Sequence, residues 1–224
     1  MGERRPNDNY TTNIGLARWA VGHAKRIAML GDTPRMLEPC CGDDAPFATA
    51  AKEQGLIPYG FDVRDVKPGL WVDAESKADG SVKGMTDYST FQGVNGGYDL
   101  IATNPPFIIG EKVVRSSLDM LAPHGAAVFL VKMAFLGTQD RSKLFKSRPP
   151  AEVWILTARP SFTGDGGTDI AQEYAFVFWH GKQIDSLVDA LGMRSTKLYW
   201  LDNKRLIGAP DKRRVRIEKG QANE

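Results

Sequence analysis

The chain has 224 residues, of which 42% are hydrophobic and 25% charged, and its formal net charge is +2. This is the balance of an ordinary soluble globular protein, with room for one sizeable domain or one domain and a small appendage. No apolar run approaches the roughly 20 residues a membrane span needs. The charged start, residues 1–6, has no apolar stretch behind it, so no secretory signal is visible and a cytoplasmic location is expected. Cys40 and Cys41 are adjacent, which suits neither a disulfide nor a zinc site, and they read as small buried residues in a reducing compartment. His23, His124 and His180 lie far apart in sequence, and no metal is implied.

In chain order, apolar residues at Ile14, Leu16, Trp19, Ala20, His23, Ile27 and Leu30 predict a helix over residues 14–30. Residues 36–38 read as a first strand, 45–54 as a helix ended by Gly55, and 57–61 as a second strand. A weak third strand is expected at 82–85 and a buried fourth at 98–103. Residues 113–121 read as a helix stopped by Pro123 and Gly125. Strands follow at 126–133, 153–157 and 174–179, then a helix at 184–191. A Gly/Thr/Asp-rich loop, residues 159–173, is long enough to suggest a function. Strand and helix alternate, which predicts an α/β, doubly wound, mostly parallel sheet of these seven strands. The domain is expected to occupy residues 1–200, and 201–224 to form a basic tail.

The tetrapeptide Asn104-Pro105-Pro106-Phe107 follows the fourth strand. Two prolines cannot continue a strand, because each lacks an N–H and fixes φ, so the chain must turn at Asn104. The residue before a proline is pushed to extended geometry, which aims the Asn104 side chain out of the sheet edge. The loop then offers an amide oxygen, backbone carbonyls and an aromatic ring. An NH2 group conjugated to a ring could donate to those oxygens while its ring stacks on Phe107.

In an open parallel sheet the ligand lies beyond the carboxyl ends of the strands, and other residues converge there. Glu38-Pro39-Cys40-Cys41-Gly42-Asp43 follows the first strand, with Gly42 permitting a tight turn and close ligand approach. Asp62 ends the second strand, at the separation from Gly42 where an acid reaches a ribose hydroxyl. Asp87 follows the third strand, where a carboxylate could accept from an adenine amino group. Neither GxGxxG nor GxxxxGK[ST] occurs, so a dinucleotide or triphosphate is not expected.

Taken in order, Glu38 to Asp43, Asp62, Asp87 and Asn104 to Phe107 resemble the motifs of S-adenosylmethionine-dependent amino-methyltransferases. Tyr10-Thr11-Thr12 resembles the N-terminal cofactor motif of the DNA adenine-N6 group. Pro160-Ser161-Phe162-Thr163-Gly164, with Gly166-Gly167-Thr168-Asp169 and the strand at Tyr174, resembles small methylases carried by phages and related mobile elements. The family's usual GxG is here Cys41-Gly42-Asp43, and a separate target-recognition domain is not evident.

The resemblance implies S-adenosylmethionine as cofactor, bound by Tyr10, Thr11, Glu38, Pro39, Cys40, Gly42, Asp62, Val63, Asp87, Tyr88 and Asn104. It implies a seven-stranded sheet with an antiparallel last strand, and that Asn104, Pro105, Pro106 and Phe107 carry catalysis. Lys132, Arg141, Lys143, Phe162 and Thr163 are the candidate substrate contacts. The implied partner is nucleic acid, DNA before RNA, with no membrane, and the protein is expected to be a monomer or homodimer. RNA adenine or guanine amino groups are the nearest rival target. A glutamine amide in a protein, or a non-catalytic nucleic-acid-binding subunit, comes further behind. Basic residues around Arg141, Lys146 and Arg148, and in the tail at Lys204, Arg205, Lys212, Arg213, Arg214, Arg216 and Lys219, suit phosphate contacts.

Overall fold

A computed structural model describes residues 11–42, 44–62, 97–160, 162 and 172–207. The strand expected at 82–85, most of the loop 159–173 and the tail beyond residue 207 lie outside them. Strands β1 (Arg35–Glu38), β2 (Ile57–Gly60), β3 (Tyr98–Thr103), β4 (Leu121–Lys132), β5 (Glu152–Leu156), β6 (Tyr174–His180) and β7 (Lys197–Leu201) form one sheet. Its order is β2-β1-β3-β4-β6-β5-β7. β1 pairs in parallel with β2 and β3, β3 with β4, and β5 with β7; β6 runs antiparallel to β4 and β5.

The antiparallel strand foreseen near Tyr174 is β6, but it does not end the sheet. β7 follows it and takes the edge beside β5. With Leu198 and Trp200 exposed, β7 carries no burial pattern by which its sequence would announce a strand.

Helices α1 (Ile14–Ile27) and α2 (Pro46–Glu53) cover one face of the sheet. They bury Leu16, Ala20, Val21 and Phe47 in a core with Met36, Leu100, Val128 and Phe176. Asn13 caps α1 by accepting from the Gly15 N–H at 2.8 Å, and α1 stops short of Leu30 because Ala28 turns extended. On the other face, α3 (Gly110–Met120) and α4 (Ser142–Ser147) place Val114, Leu118 and Leu144 with Leu37, Ile101, Phe129 and Val177. A last helix, α5 (Lys182–Ala190), buries Ile184. β3, flanked on both sides and covered on both faces, is buried throughout, as a central parallel strand must be.

β4 begins at Leu121, earlier than the strand expected from residue 126. Its pairing jumps from Tyr98↔Leu121 to Leu100↔Ala126, a bulge that accommodates Pro123 outside the regular ladder. Gly125 is required there, since a Cβ would lie 2.5 Å from the Asp99 carbonyl oxygen. Leu201 closes β7, and buried Asn203 donates to the Ala158 carbonyl and accepts from its N–H, each at 2.8 Å. Leu206 and Ile207 pack on the first-face core.

This topology fixes where a ligand can sit. The chain leaves β1 for α2 on one face and leaves the adjacent β3 for α3 on the other. Diverging connections from neighbouring parallel strands open a crevice beyond their carboxyl ends.

Candidate active site

The loop after β1 is shaped by its backbone. Pairing with the β2 side continues past the ladder, through Phe61 N–H to the Glu38 carbonyl at 3.0 Å and Cys41 N–H to the Phe61 carbonyl at 2.9 Å. That pairing carries Asp62, only 7% exposed, to the turn, where its Oδ2 accepts from the Gly42 N–H at 2.9 Å. Gly42 has φ 60°, a left-handed conformation that a side chain would strain. Ala45, at φ 38°, is the single left-handed non-glycine among the described residues, so strain sits at the α2 end of the turn.

Ala45 offers no side-chain cap to α2, and Glu38 supplies the acceptor instead. Its Oε2 takes the Ala48 N–H at 2.8 Å from a position 1% exposed. Burial pushes the Glu38 carboxyl well above the usual range, and the nearby Asp62 charge adds to this; the N–H groups of Ala48 and Phe47 oppose the shift. Burial likewise pushes the Cys41 thiol up, so Cys41 offers no thiolate nucleophile there. Pro39 is buried and Cys40 half-buried beneath the same turn.

From the N-terminal side, Thr11 donates its hydroxyl to Asp44 Oδ2 at 2.8 Å, which brings the segment before α1 onto this loop. The next residue, Thr12, is 2% exposed, and its hydroxyl has no hydrogen-bond partner among the described residues. The same holds for Thr103, the fully buried last residue of β3. One of these hydroxyls belongs to the segment that reaches the β1 loop and the other to the end of β3.

Asn104 to Phe107 leave β3 into the same crevice. Pro105 is buried against the start of α3, where a Cβ on Gly110 would sit 3.9 Å from Pro105 Cγ and 3.7 Å from the Phe135 ring. The turn is thereby pinned at both ends. The half-buried Phe107 ring lies 6.3 Å from Tyr174, which packs on Phe162 at 5.2 Å. Lys132, at the end of β4, sets its ammonium 3.5 Å from the Phe107 ring centre, a cation–π contact.

Glu38, Pro39, Cys40, Gly42 and Asp62 thus share the β1–β2 corner, Thr11 reaches it, and Asn104 to Phe107 with Lys132 and Phe162 share the β3–β4–β6 corner. Arg141 is engaged elsewhere: its guanidinium lies over the Phe135 ring at 4.4 Å, bonds the Phe135 carbonyl at 3.3 Å and approaches Glu111. Lys143 is exposed on α4. Tyr10, Val63, Asp87, Tyr88 and Thr163 lie outside the described residues. Tyr174 and Asp44 lie against these two corners and were not among the candidate site residues.

No protein-family model matches the sequence, and no curated protein matches it either. Solved structures do match. A Listeria monocytogenes protein taken to be a class I S-adenosylmethionine-dependent methyltransferase superposes with a TM-score of 0.57 at 14% identity, covering 92% of this chain and 70% of its own. The methyltransferase subunit of a type I restriction-modification system from Streptococcus thermophilus gives 0.53 at 10% identity, over 83% of this chain and 53% of its own. The modification subunit of what is taken to be a type I restriction enzyme from Vibrio vulnificus gives 0.51 at 13% identity, over 78% and 45%. The fold is that of the class I methyltransferases. The chain spans about half the length of the two restriction-modification subunits. Within the methyltransferase fold, its β1 turn and its Asn104 loop meet at the point where the connections from the sheet diverge. No helix among the described residues is long and apolar enough to cross a membrane.

Proposed function

We propose that this chain transfers a methyl group from S-adenosylmethionine to an exocyclic amine, with adenine N6 in DNA as the target. The observation that carries the reading is the turn Asn104 to Phe107 at the carboxyl end of β3, beside the Gly42–Asp62 corner of a methyltransferase fold. The residues at that corner fit the cofactor. A buried carboxylate, already anchored on one oxygen by Gly42, suits a ribose diol, and the orphaned Thr12 and Thr103 hydroxyls suit further polar atoms. Bound there, the cofactor supplies a methyl group already activated by its sulfonium, so neither a metal nor a protein nucleophile is required.

The chain's own task lies at the target nitrogen, whose lone pair is delocalised into the ring that bears it. The Asn104 side-chain oxygen and the Pro105 carbonyl accept the two N–H bonds of that amine. Accepting both favours a tetrahedral nitrogen and localises the lone pair, a stabilisation greater in the transition state than in the ground state. Phe107, backed by Tyr174, gives the base a stacking surface that fixes its orientation. The prolines, with Pro105 held against Gly110, keep these acceptors from relaxing. A base within a duplex has to leave the stack to reach this recess.

A nucleic-acid substrate is supported by Lys132 at the recess and exposed Lys112 and Lys143 on α3 and α4. DNA in particular is favoured by the motif resemblance and agrees with the fold shared with two restriction-modification subunits. The test is incubation with methyl-labelled cofactor and separate pools of DNA, RNA and protein. The expected product is N6-methyladenine in DNA; label confined to RNA or protein would refute the substrate assignment, and no label anywhere would refute transfer.

A further inference from the structure

Ile108 directly follows Phe107, yet the two side chains have opposite fates. Phe107 turns inward onto Tyr174, whereas Ile108 is 77% exposed, more than any other large apolar side chain among the described residues that stand out for exposure. Its neighbour Ile109 is half-buried and Gly110 is buried, so the turn between β3 and α3 is held at both feet with Ile108 at its tip. Leaving an isoleucine in water here forgoes its burial, and nothing in the core needs it at that position.

The surroundings indicate what would cover it. Lys112 is exposed one helical turn further on, Lys132 stands over the Phe107 ring, and Lys143 is exposed on α4. An apolar tip with Lys112 a turn away and Lys132 on the preceding ring, beside a recess for a planar base, matches a nucleic-acid duplex: phosphates outside, stacked apolar faces within. We propose that Ile108 is a wedge that enters the base stack and occupies the space vacated as the target base turns into the Asn104–Phe107 recess. This makes it a positioning residue, and the inference rests on the DNA reading above. Taking a base out of a duplex costs a few kcal/mol, least where the base is mispaired or already single-stranded, and an inserted apolar side chain offsets part of that cost. Ile108 would therefore matter only for paired substrates.

The experiment compares wild type, Ile108→Ser and Ile108→Phe on three oligonucleotides of one sequence: single-stranded, fully paired, and mispaired at the target adenine. For Ile108→Ser, kcat/KM on paired DNA should fall about tenfold or more, while single-stranded and mispaired DNA stay within about twofold of wild type. Ile108→Phe should retain most activity on paired DNA, because any apolar wedge of sufficient size serves. A fluorescent adenine analogue at the target position should brighten in paired DNA on adding wild type and not on adding Ile108→Ser. Equal effects of Ile108→Ser on all three substrates, or no effect on any, would overturn the wedge and leave the DNA reading intact. Wild type active on single strands alone would do the same. Wild type inactive on all three would overturn both. Since Ile108 is exposed, its variants should melt with wild type.

Discussion

Asp62 offers a test in which two substitutions at one position should separate. Its Oδ2 accepts from the Gly42 N–H at 2.9 Å, and the carboxylate is 7% exposed at the crevice. In Asp62→Ala the turn loses its anchor and the ribose diol loses its acceptor. A hydrogen bond to a charged group is worth about 1.5–3 kcal/mol, and tenfold in affinity is about 1.4 kcal/mol. Affinity for S-adenosylhomocysteine should therefore fall by about ten- to a hundredfold for one such bond, and further if both are lost. Asp62→Asn keeps an oxygen for the Gly42 N–H and sacrifices only the charge, which roughly halves the strength of the bond. Its loss should stay near about three- to tenfold. Titration calorimetry measures both. An alanine variant within about twofold of wild type would refute the ribose assignment. An asparagine variant as impaired as alanine would show that the hold on Gly42 contributes nothing.

Asn104→Ala should abolish methyl transfer while calorimetry finds cofactor affinity within a few fold, and retained turnover would overturn its role on the target amine. Phe107→Ala should lower kcat/KM by the worth of a base–aromatic stack, on the order of 1–3 kcal/mol, and an unchanged value would remove the ring from the substrate site. Burial raises the Glu38 carboxyl above the ordinary 4.5, so its protonation stabilises the fold fully below that value, and this contribution is lost as pH rises through the raised one. Glu38→Gln, which keeps an acceptor for the Ala48 N–H and never ionises, should gain stability relative to wild type as pH rises above about 4.5; denaturant midpoints differing by a constant amount at pH 5 and 8 would contradict this. Asn203→Ala strands both polar groups of the Ala158 backbone, so unfolding free energy should drop by about 2–4 kcal/mol, and a loss under about 0.5 kcal/mol would be inconsistent with that pairing.

The elements that could be read from sequence are those whose signals are local. β3 shows itself as an apolar run halted by two prolines, and Asn104 to Phe107 are placed by the same punctuation. Gly42 and Asp62 fall where a doubly wound sheet would put them, whereas the bond between them shows only in the assembled turn. What sequence could not show depends on partners distant in the chain. The Glu38 carboxylate caps a helix whose own N-cap, Ala45, has nothing to offer, a substitution visible only once β1 and α2 are assembled. Arg141 looks like a phosphate ligand in a basic stretch until Phe135 and Glu111 are seen to engage it. His23, which the sequence shows only as one position of the α1 stripe, is held by Glu152 at 2.6 Å across 129 residues of sequence.

Tyr174 was missed for a reason that lies in the topology itself. The rule that ligands gather beyond the carboxyl ends of parallel strands directs attention to Glu38, Asp62, Asn104 and Lys132, each at or just past such an end. β6 runs the other way, so it brings its first residue to that edge, where Tyr174 pairs with Lys132. An antiparallel strand in an otherwise parallel sheet exchanges which end of a strand reaches the site. Sequence can therefore place β6 correctly and still overlook the residue it contributes. The reversal also explains why one aromatic group, Phe107 with Tyr174 and Phe162, can be drawn from the end of β3, the start of β6 and the loop leading into it. A base stacked on Phe107 would meet a ring already packed against Tyr174.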